Sequence, residues 1–160
     1  MLDPSPEEQQ KQAWIVSLRL LAATPKSVKE LRDKLMAKGF PDEIIQKTLN
    51  LLETKGLLSD RAFAQNIVTR FTLGQPSGNR KIGFELKRKG VPAKMREEIL
   101  EGLNPEEETD RARELARGKW ERFSNVAPEK RKKRIYDFLI RRGFDFQTAR
   151  DLIEELERDS

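Results

Sequence analysis

Neither cysteine nor histidine occurs among the 160 residues of the sequence. The lack of cysteine excludes disulfides, thiolate nucleophiles and cysteine-based metal sites. The lack of histidine removes the commonest general base and the commonest transition-metal ligand. The sequence also contains no Gly-rich phosphate loop and no nucleophile elbow. We therefore predict that the protein acts by binding rather than by catalysis, with no cofactor and no metal ion.

Long apolar segments are missing as well. No run of about eighteen apolar residues occurs, so no membrane-spanning helix is predicted. The N-terminal segment MLDPSPEEQQ is polar and acidic and lacks the character of a signal peptide, which favours a cytoplasmic protein. Hydrophobic residues make up 36% of the chain and charged residues 37%. This balance is too polar for one thick core and too apolar for disorder, and it suits thin helical modules.

Three segments of the chain align on a shared glycine. The segments are LRDKLMAKGFPDEIIQKTLNLL, IGFELKRKGVPAKMREEILEGL and IYDFLIRRGFDFQTARDLIEEL. Their glycines are Gly39, Gly90 and Gly143, which gives a period of 51 and then 53 residues. Apolar residues stand eight and four positions before each glycine, a basic residue directly before it and an apolar residue directly after it. This register, found three times, predicts three copies of one unit.

Each copy is predicted to contain three helices. The apolar spacing before the glycine marks one face of a helix, the basic residue complements its dipole, and the glycine supplies a left-handed C-cap. Pro41 and Pro92 suit the first turn of the next helix, and Asp145 takes the equivalent place in copy three as an N-cap. One more amphipathic helix is predicted ahead of each such pair, over residues 13–23, 60–73 and 106–123.

The predicted fold is therefore all-α, with three tandem three-helix repeats forming an elongated array. We expect a polar N-terminal extension over residues 1–12. The three repeats are predicted over residues 13–58, 59–103 and 104–160, the last with an acidic C-terminal end.

Positive charge is concentrated in the second and third copies. The formal net charge is +5, but residues 1–58 carry only +1, whereas residues 79–100 carry +4 and residues 111–142 carry +8. An acidic stretch of −5 over residues 101–110 separates the two basic regions, and the last ten residues carry −4. Such a pattern fits contact with a polyanion or with an acidic protein surface.

Two segments resemble a known family. The junction LLETKGLLSDRAFAQNIV at residues 51–68 and the segment GNRKIGFELKRKGV at residues 78–91, together with the repeated unit, are similar to the RecX family of regulatory proteins. The resemblance covers residues 13–156. It implies a curved array of modules that binds the bacterial recombinase RecA along the groove of the RecA–DNA filament. It further implies inhibition of ATP hydrolysis, of strand exchange and of the coprotease activity that triggers the SOS response.

The second helix of copy two is the first candidate contact surface. With Ile82 and Leu86 facing inward, its outer face carries Arg80, Phe84, Lys87 and Arg88, with Lys81 at the edge. One interpretation is a contact patch in which the cations steer toward phosphates or acidic side chains and Phe84 provides an apolar anchor. The alternative is that Phe84 packs against a neighbouring copy and the cations form a solvated face.

The run EKRKKR at residues 129–134 is the second candidate surface, and we add Arg141 from the same helix. Lys130 and Lys133 are predicted to project outward, whereas Arg131 and Lys132 flank the buried stripe, which includes Phe138. DNA phosphates or an acidic groove would suit these cations; the alternative is a solubilising start of a helix. The like charges repel one another and oppose the helix dipole, which favours a functional role.

Other candidates rank lower. Arg111, Arg113, Arg117 and Lys119 have Glu114 and Glu121 as partners within their helix. Trp14 and Trp120 suit core packing better than base stacking. The acids at 106–108 and 110 suit a helix start better than a metal site.

Three functions follow from the sequence in order of preference. The first is a negative modulator of RecA, monomeric, with single- or double-stranded DNA as a further partner. The second is a sequence-independent DNA-binding protein of helix-turn-helix-like units. The third is a structural helical adaptor.

Overall fold

The computed structural model describes residues 3–160, and these residues contain helices and no strand. The helices are α1 Pro6–Ala23, α2 Val28–Ala37, α3 Asp42–Thr54, α4 Asp60–Thr69, α5 Asn79–Arg88, α6 Ala93–Glu101, α7 Pro105–Arg122, α8 Pro128–Arg141 and α9 Phe146–Arg158. A short π-helical segment, Arg70–Gly74, continues α4. The prediction of an all-α fold is confirmed.

Local sequence sets where several helices begin. The Ser5 hydroxyl accepts from the backbone N–H of Glu8, whose carboxylate accepts from the Ser5 N–H, and this capping box starts α1 at Pro6. The helix therefore begins seven residues before the predicted position, within the segment expected to be an extension. Asp145 caps α9 as predicted, accepting from the Thr148 N–H at 2.8 Å.

The repeat glycines have the backbone conformation that their position predicts. Gly39, Gly90 and Gly143 have φ of +88°, +86° and +87°, in the left-handed region where a side chain is strained. The predicted left-handed C-caps are therefore confirmed in all three copies.

The chain packs as two compact units. The first comprises the described residues up to Gln65 together with Lys87–Pro92, and its core is formed by Leu31, Leu35, Ile45, Leu49, Leu52 and Leu58. The turn at Lys89 and Gly90 belongs to this unit: the Ser27 hydroxyl, at the N-cap of α2, donates to the Lys89 carbonyl at 2.5 Å. The turn of copy two thus docks on the beginning of a copy-one helix.

The second unit comprises Asn66–Leu86 and Ala93–Ser160. Small residues on α7 allow close approach to α8 and α9, and the core consists of Ala112, Ala116, Ile135, Leu139, Phe144, Ala149, Leu152, Ile153 and Leu156. These two units are defined by packing and do not coincide with the sequence copies, whose boundaries stay a prediction.

The docking seen in the first unit recurs inside the second. The Gly78 N–H, just before α5, donates to the Arg142 carbonyl at 2.7 Å, and the Arg142 guanidinium donates back to the Pro76 carbonyl at 2.7 Å. Ser27 and Gly78 occupy the same repeat position, twelve residues before Gly39 and Gly90. In both units, therefore, the carbonyl of the basic residue before a repeat glycine accepts a hydrogen bond at the beginning of a helix.

Candidate partner-binding surface

The two faces of α5 differ sharply in exposure. Ile82 and Leu86 are fully buried, whereas the Phe84 side chain is 63% exposed. The outer cations Arg80, Lys87 and Arg88 are exposed and Lys81 is half-buried. The predicted orientation of the helix is confirmed, and the exposure of Phe84 shows that most of its side chain is not covered by a neighbouring copy. Binding of a partner by these residues stays a prediction.

Within the second unit, α5 borders a groove that we call the Phe84 groove. It has a volume of about 470 Å³ and is lined by Arg80, Lys81, Phe84, Glu85, Ile140, Arg141 and Gly143. The structure therefore brings Arg141, from the end of α8, to the three α5 residues Arg80, Lys81 and Phe84. Lys87 and Arg88 lie at the C-terminal end of the same helix and are grouped with the first unit.

A second groove shares Arg141 with the first, and we call it the Lys119 groove. Its volume is about 340 Å³, and it is lined by Lys119, Phe123, Arg134, Asp137, Phe138 and Arg141. From the sequence, Lys119 is a lower-ranked cation and Phe138 is expected in the buried stripe, whereas Arg134 and Phe123 are not among the candidate contact residues. The available signal was the spacing of residues 134, 138 and 141, which share one face of a helix.

Aromatic rings fix the positions of the cations in this region. The Lys119 ammonium lies 4.6 Å from the centroid of the Phe138 ring and 5.8 Å from that of Phe123. The guanidinium of Arg134 lies 5.5 Å from the Phe123 centroid, and that of Arg142 lies 5.2 Å from the Phe138 centroid. Both rings pack on the core of the second unit, so the cations above them are held at defined places.

The basic run at the beginning of α8 divides into two pairs. Lys130 and Lys133 are exposed, as predicted, although Lys133 also contacts Asp137 at 3.0 Å. Arg131 instead stacks on Trp120, with its guanidinium carbon 3.6 Å from the ring centroid, and donates from Nε to the Trp120 carbonyl at 3.0 Å. The Arg131 guanidinium therefore makes its contacts within the chain and stabilises the packing of α8 on α7.

Lys132 is also engaged within the chain. Its ammonium contacts Glu157 at 3.1 Å and Glu129 at 3.2 Å. The hydrogen bond to Glu157, with a smaller effect from the one to Glu129, raises the pKa of Lys132 above its usual range. Of the four predicted contact residues in this run, Lys130 and Lys133 are thus better placed for a partner than Arg131 and Lys132.

We predict that Arg131→Ala lowers the free energy of unfolding by about 2 kcal/mol, because it removes a stacked guanidinium and leaves the Trp120 carbonyl without these donors. Lys130→Ala removes the same charge from an exposed position one residue earlier and should change stability by less than about 0.5 kcal/mol. Urea denaturation of the two variants measures the difference. Equal stability of the two proteins would contradict the assignment of Arg131 to the fold.

The lower-ranked cations of α7 have partners inside the second unit. Arg111 donates to the Ser77 carbonyl at 3.1 Å and to the Asn79 side chain at 3.0 Å. Arg113 lies 2.9 Å from both Glu155 and Asp110, and its hydrogen bond to Glu155 is the main reason that the pKa of Arg113 is raised. These two arginines hold helices together.

The tryptophans pack as predicted. Trp14 lies against the core of the first unit and Trp120 against that of the second, where its indole N–H donates to the Ser160 hydroxyl at 3.0 Å. Among the described residues, no group of three or more acidic side chains is arranged to hold a metal ion. No helix within the described part of the chain is long and apolar enough to cross a membrane.

Comparison with known proteins places the chain in a family. The family model described as RecX, first three-helix domain, matches residues 13–52, and the one described as RecX, third three-helix domain, matches residues 106–153. The regulatory protein RecX of Prosthecochloris aestuarii is 39% identical over 81% of this chain and 83% of its own length. The chain belongs to the RecX family. The RecX protein of Chlorobaculum tepidum is 37% identical over 86% of this chain and 84% of its own.

Solved RecX structures share the fold. The crystal structure of RecX from Lactobacillus salivarius superposes with a TM-score of 0.82 at 21% identity and covers 94% of this chain and 98% of that one. A second crystal structure, of a regulatory protein RecX, gives a TM-score of 0.75 at 22% identity, with 94% and 73% of the two chains covered. The chain is therefore a RecX-family regulatory protein with the helical-repeat fold of that family.

Proposed function

We propose that this RecX-family chain is a negative modulator of the RecA recombinase. It binds the RecA–DNA filament and inhibits its ATPase, its strand exchange and its SOS coprotease activity. It acts in the cytoplasm as a monomer and without catalysis of its own. Membership of a family of regulatory proteins supports the regulatory role, and RecA is the partner that the family resemblance implies.

The single observation that carries a binding mechanism is the exposure of Phe84 beside Arg80 and Arg141. A phenylalanine that is 63% exposed gains little from folding, because most of its surface stays in water. Aromatic residues and arginine are both enriched at protein interfaces relative to the rest of the surface. The surrounding cations would accelerate encounter with an acidic protein surface or with DNA.

A second candidate function is sequence-independent DNA binding. The Lys119 groove favours it, because its cations are held beside aromatic rings, and contacts of cations with phosphates carry no sequence information. Such a protein would bind bare DNA tightly, and its affinity would fall steeply with salt.

The decisive test is the DNA-dependent ATPase of RecA at low salt, with filaments imaged in parallel. We expect inhibition and altered filaments at concentrations of this chain well below those that coat the DNA. Unchanged ATPase and unchanged filaments would refute the proposal. Inhibition that appears only when the DNA is saturated with this chain would favour the second candidate.

A further inference from the structure

The first unit contains a groove whose chemistry differs from that of the basic surfaces. We call it the Leu51 groove. It lies between α1 and α3, which pack against each other, and its volume is about 510 Å³. This volume is in the range of sites that hold a small ligand or a few side chains. The groove is lined by Pro6, Glu7, Gln10, Ile44, Lys47 and Leu51.

Apolar surface in this groove remains in contact with water. The Leu51 side chain is 41% exposed, whereas Leu49 and Leu52 beside it on α3 are fully buried. Pro6, at the beginning of α1, is exposed as well. Covering these side chains would remove apolar surface from water, which favours binding of a partner that is itself partly apolar.

The Gln10 side chain brings an unpaired hydrogen-bond acceptor to the groove. Its Nε2 donates to the Thr48 hydroxyl at 2.8 Å, and that hydroxyl donates to the Ile44 carbonyl at 2.8 Å. Because the hydroxyl has one hydrogen and the Ile44 carbonyl accepts it, Thr48 can only accept from Gln10, which fixes the orientation of the amide. Gln10 Oε1 is buried, and it has no donor within the described part of the chain. A buried acceptor without a partner is costly, so an occupant that brings a donor is favoured.

The charges around the groove favour a donor that is also a cation. The Lys47 ammonium contacts the Glu43 carboxylate at 3.3 Å, which largely offsets its charge. Glu7 is exposed and forms no ion pair with another residue that the structure describes. The groove therefore offers two acceptors, the Gln10 amide oxygen and the Glu7 carboxylate. A phosphate or an acidic segment would be repelled there, whereas a cation would be attracted.

We propose that the Leu51 groove is a docking site for an arginine of a partner protein, flanked by apolar residues of the same segment. The guanidinium donates to Gln10 Oε1 and pairs with Glu7, while the arginine stem and the apolar neighbours cover Leu51. Arginine suits the groove better than lysine, because its guanidinium has five donors and is more weakly hydrated than an ammonium. This inference does not rest on the proposed action on RecA.

The test is an NMR titration of the full, isotope-labelled chain with the peptide acetyl-ALRLA-amide. We expect a Kd of about 1 mM, weak because a short peptide loses much freedom on binding, with shifts of the Gln10 side-chain amide and the Leu51 methyl signals. Two matched peptides carry citrulline or glutamate in place of the arginine. Citrulline keeps the shape without the charge and should bind about fivefold more weakly, and the glutamate peptide more weakly still.

A double variant removes both acceptors of the groove. We expect E7Q/Q10L to lower the affinity for the arginine peptide about tenfold. The control Q12L/E53Q makes the same two substitutions at exposed positions of α1 and α3 and should bind as the wild-type chain does. E7Q alone keeps the hydrogen bond between Gln10 and Thr48, and it should bind the arginine and citrulline peptides equally.

Four results would overturn the inference. The first is no shift of the Gln10 and Leu51 signals at about 10 mM arginine peptide, a concentration well above the expected Kd. The second is equal affinity for all three peptides, which would mean that apolar contact alone drives binding. The third is equal affinity of E7Q/Q10L and Q12L/E53Q for the arginine peptide. The fourth is tighter binding of a peptide with tyrosine in place of the arginine, which would make the groove a site for a neutral aromatic donor.

Discussion

Replacing Gly143 by alanine is expected to lower the free energy of unfolding by about 3 kcal/mol, measured by urea denaturation. The left-handed backbone conformation alone costs an alanine about 1 to 2 kcal/mol. The new Cβ would also lie 2.6 Å from the Lys81 Cβ and 2.7 Å from its backbone nitrogen. Relief of that overlap requires the backbone of α5 to shift, which adds a further cost of about 1 to 3 kcal/mol.

Gly39→Ala is the matched control for this prediction. Gly39 has φ of +88° against +87° for Gly143, so the conformational cost of alanine is the same at the two positions. No atom lies within 4 Å of the added Cβ at Gly39, so nothing has to move. We expect Gly39→Ala to cost about 1 to 2 kcal/mol. Equal losses for the two variants would show that docking of the Arg142–Gly143 turn contributes nothing measurable.

The contrast between these glycines marks what the sequence predicts and what it does not. The left-handed turn follows from local pattern, because the last apolar positions, the basic residue and the glycine are neighbours in the chain. The docking of the turn does not, because Gly78 and Arg142 lie 64 residues apart. A small residue stands twelve positions before the first two repeat glycines, but Arg131 occupies that position in copy three. The repeat pattern therefore shows the small residues Ser27 and Gly78, but nothing in it shows that each contacts the turn of the following copy.

The candidate site, too, was only partly predictable from the sequence. The exposed face of α5 was predictable because the 3.6-residue period alone determines which side chains of a thin helical module face outward. The Lys119 groove was not, because it forms where α7 meets α8, and no local period relates Lys119 to Arg141. The stacking of Arg131 on Trp120 was not predictable either, because it is a contact between two helices, α8 and α7. A run of basic residues in the sequence shows that cations are clustered. It does not show which of them make contacts within the folded chain and which stay exposed.

Reversing the three outer cations of α5 is expected to abolish inhibition of the RecA ATPase. The variant R80E/K87E/R88E changes the charge by two units at each position and takes the formal net charge from +5 to −1. All three side chains are exposed, and glutamates at 87 and 88 oppose the dipole at the end of α5 by about 1 kcal/mol each at most. The far-UV helical signal should therefore persist while the inhibitory potency falls more than about a hundredfold, since attraction is replaced by repulsion at each contact.

Two further variants test whether the expected loss of inhibition is specific to the exposed face of α5. K11E/K34E/K55E makes the same change in net charge at exposed positions of the first unit, two of them also near helix ends, and should keep the inhibitory potency within a few-fold. Phe84→Ala changes no charge and removes little buried surface, yet we expect it to lower the inhibitory potency about thirtyfold, which corresponds to an interface anchor of about 2 kcal/mol. If the control variant loses inhibition as completely as R80E/K87E/R88E, net charge rather than this surface governs binding. If Phe84→Ala inhibits as well as the wild-type chain, the Phe84 groove is not the protein contact, and the contact must lie elsewhere on the chain.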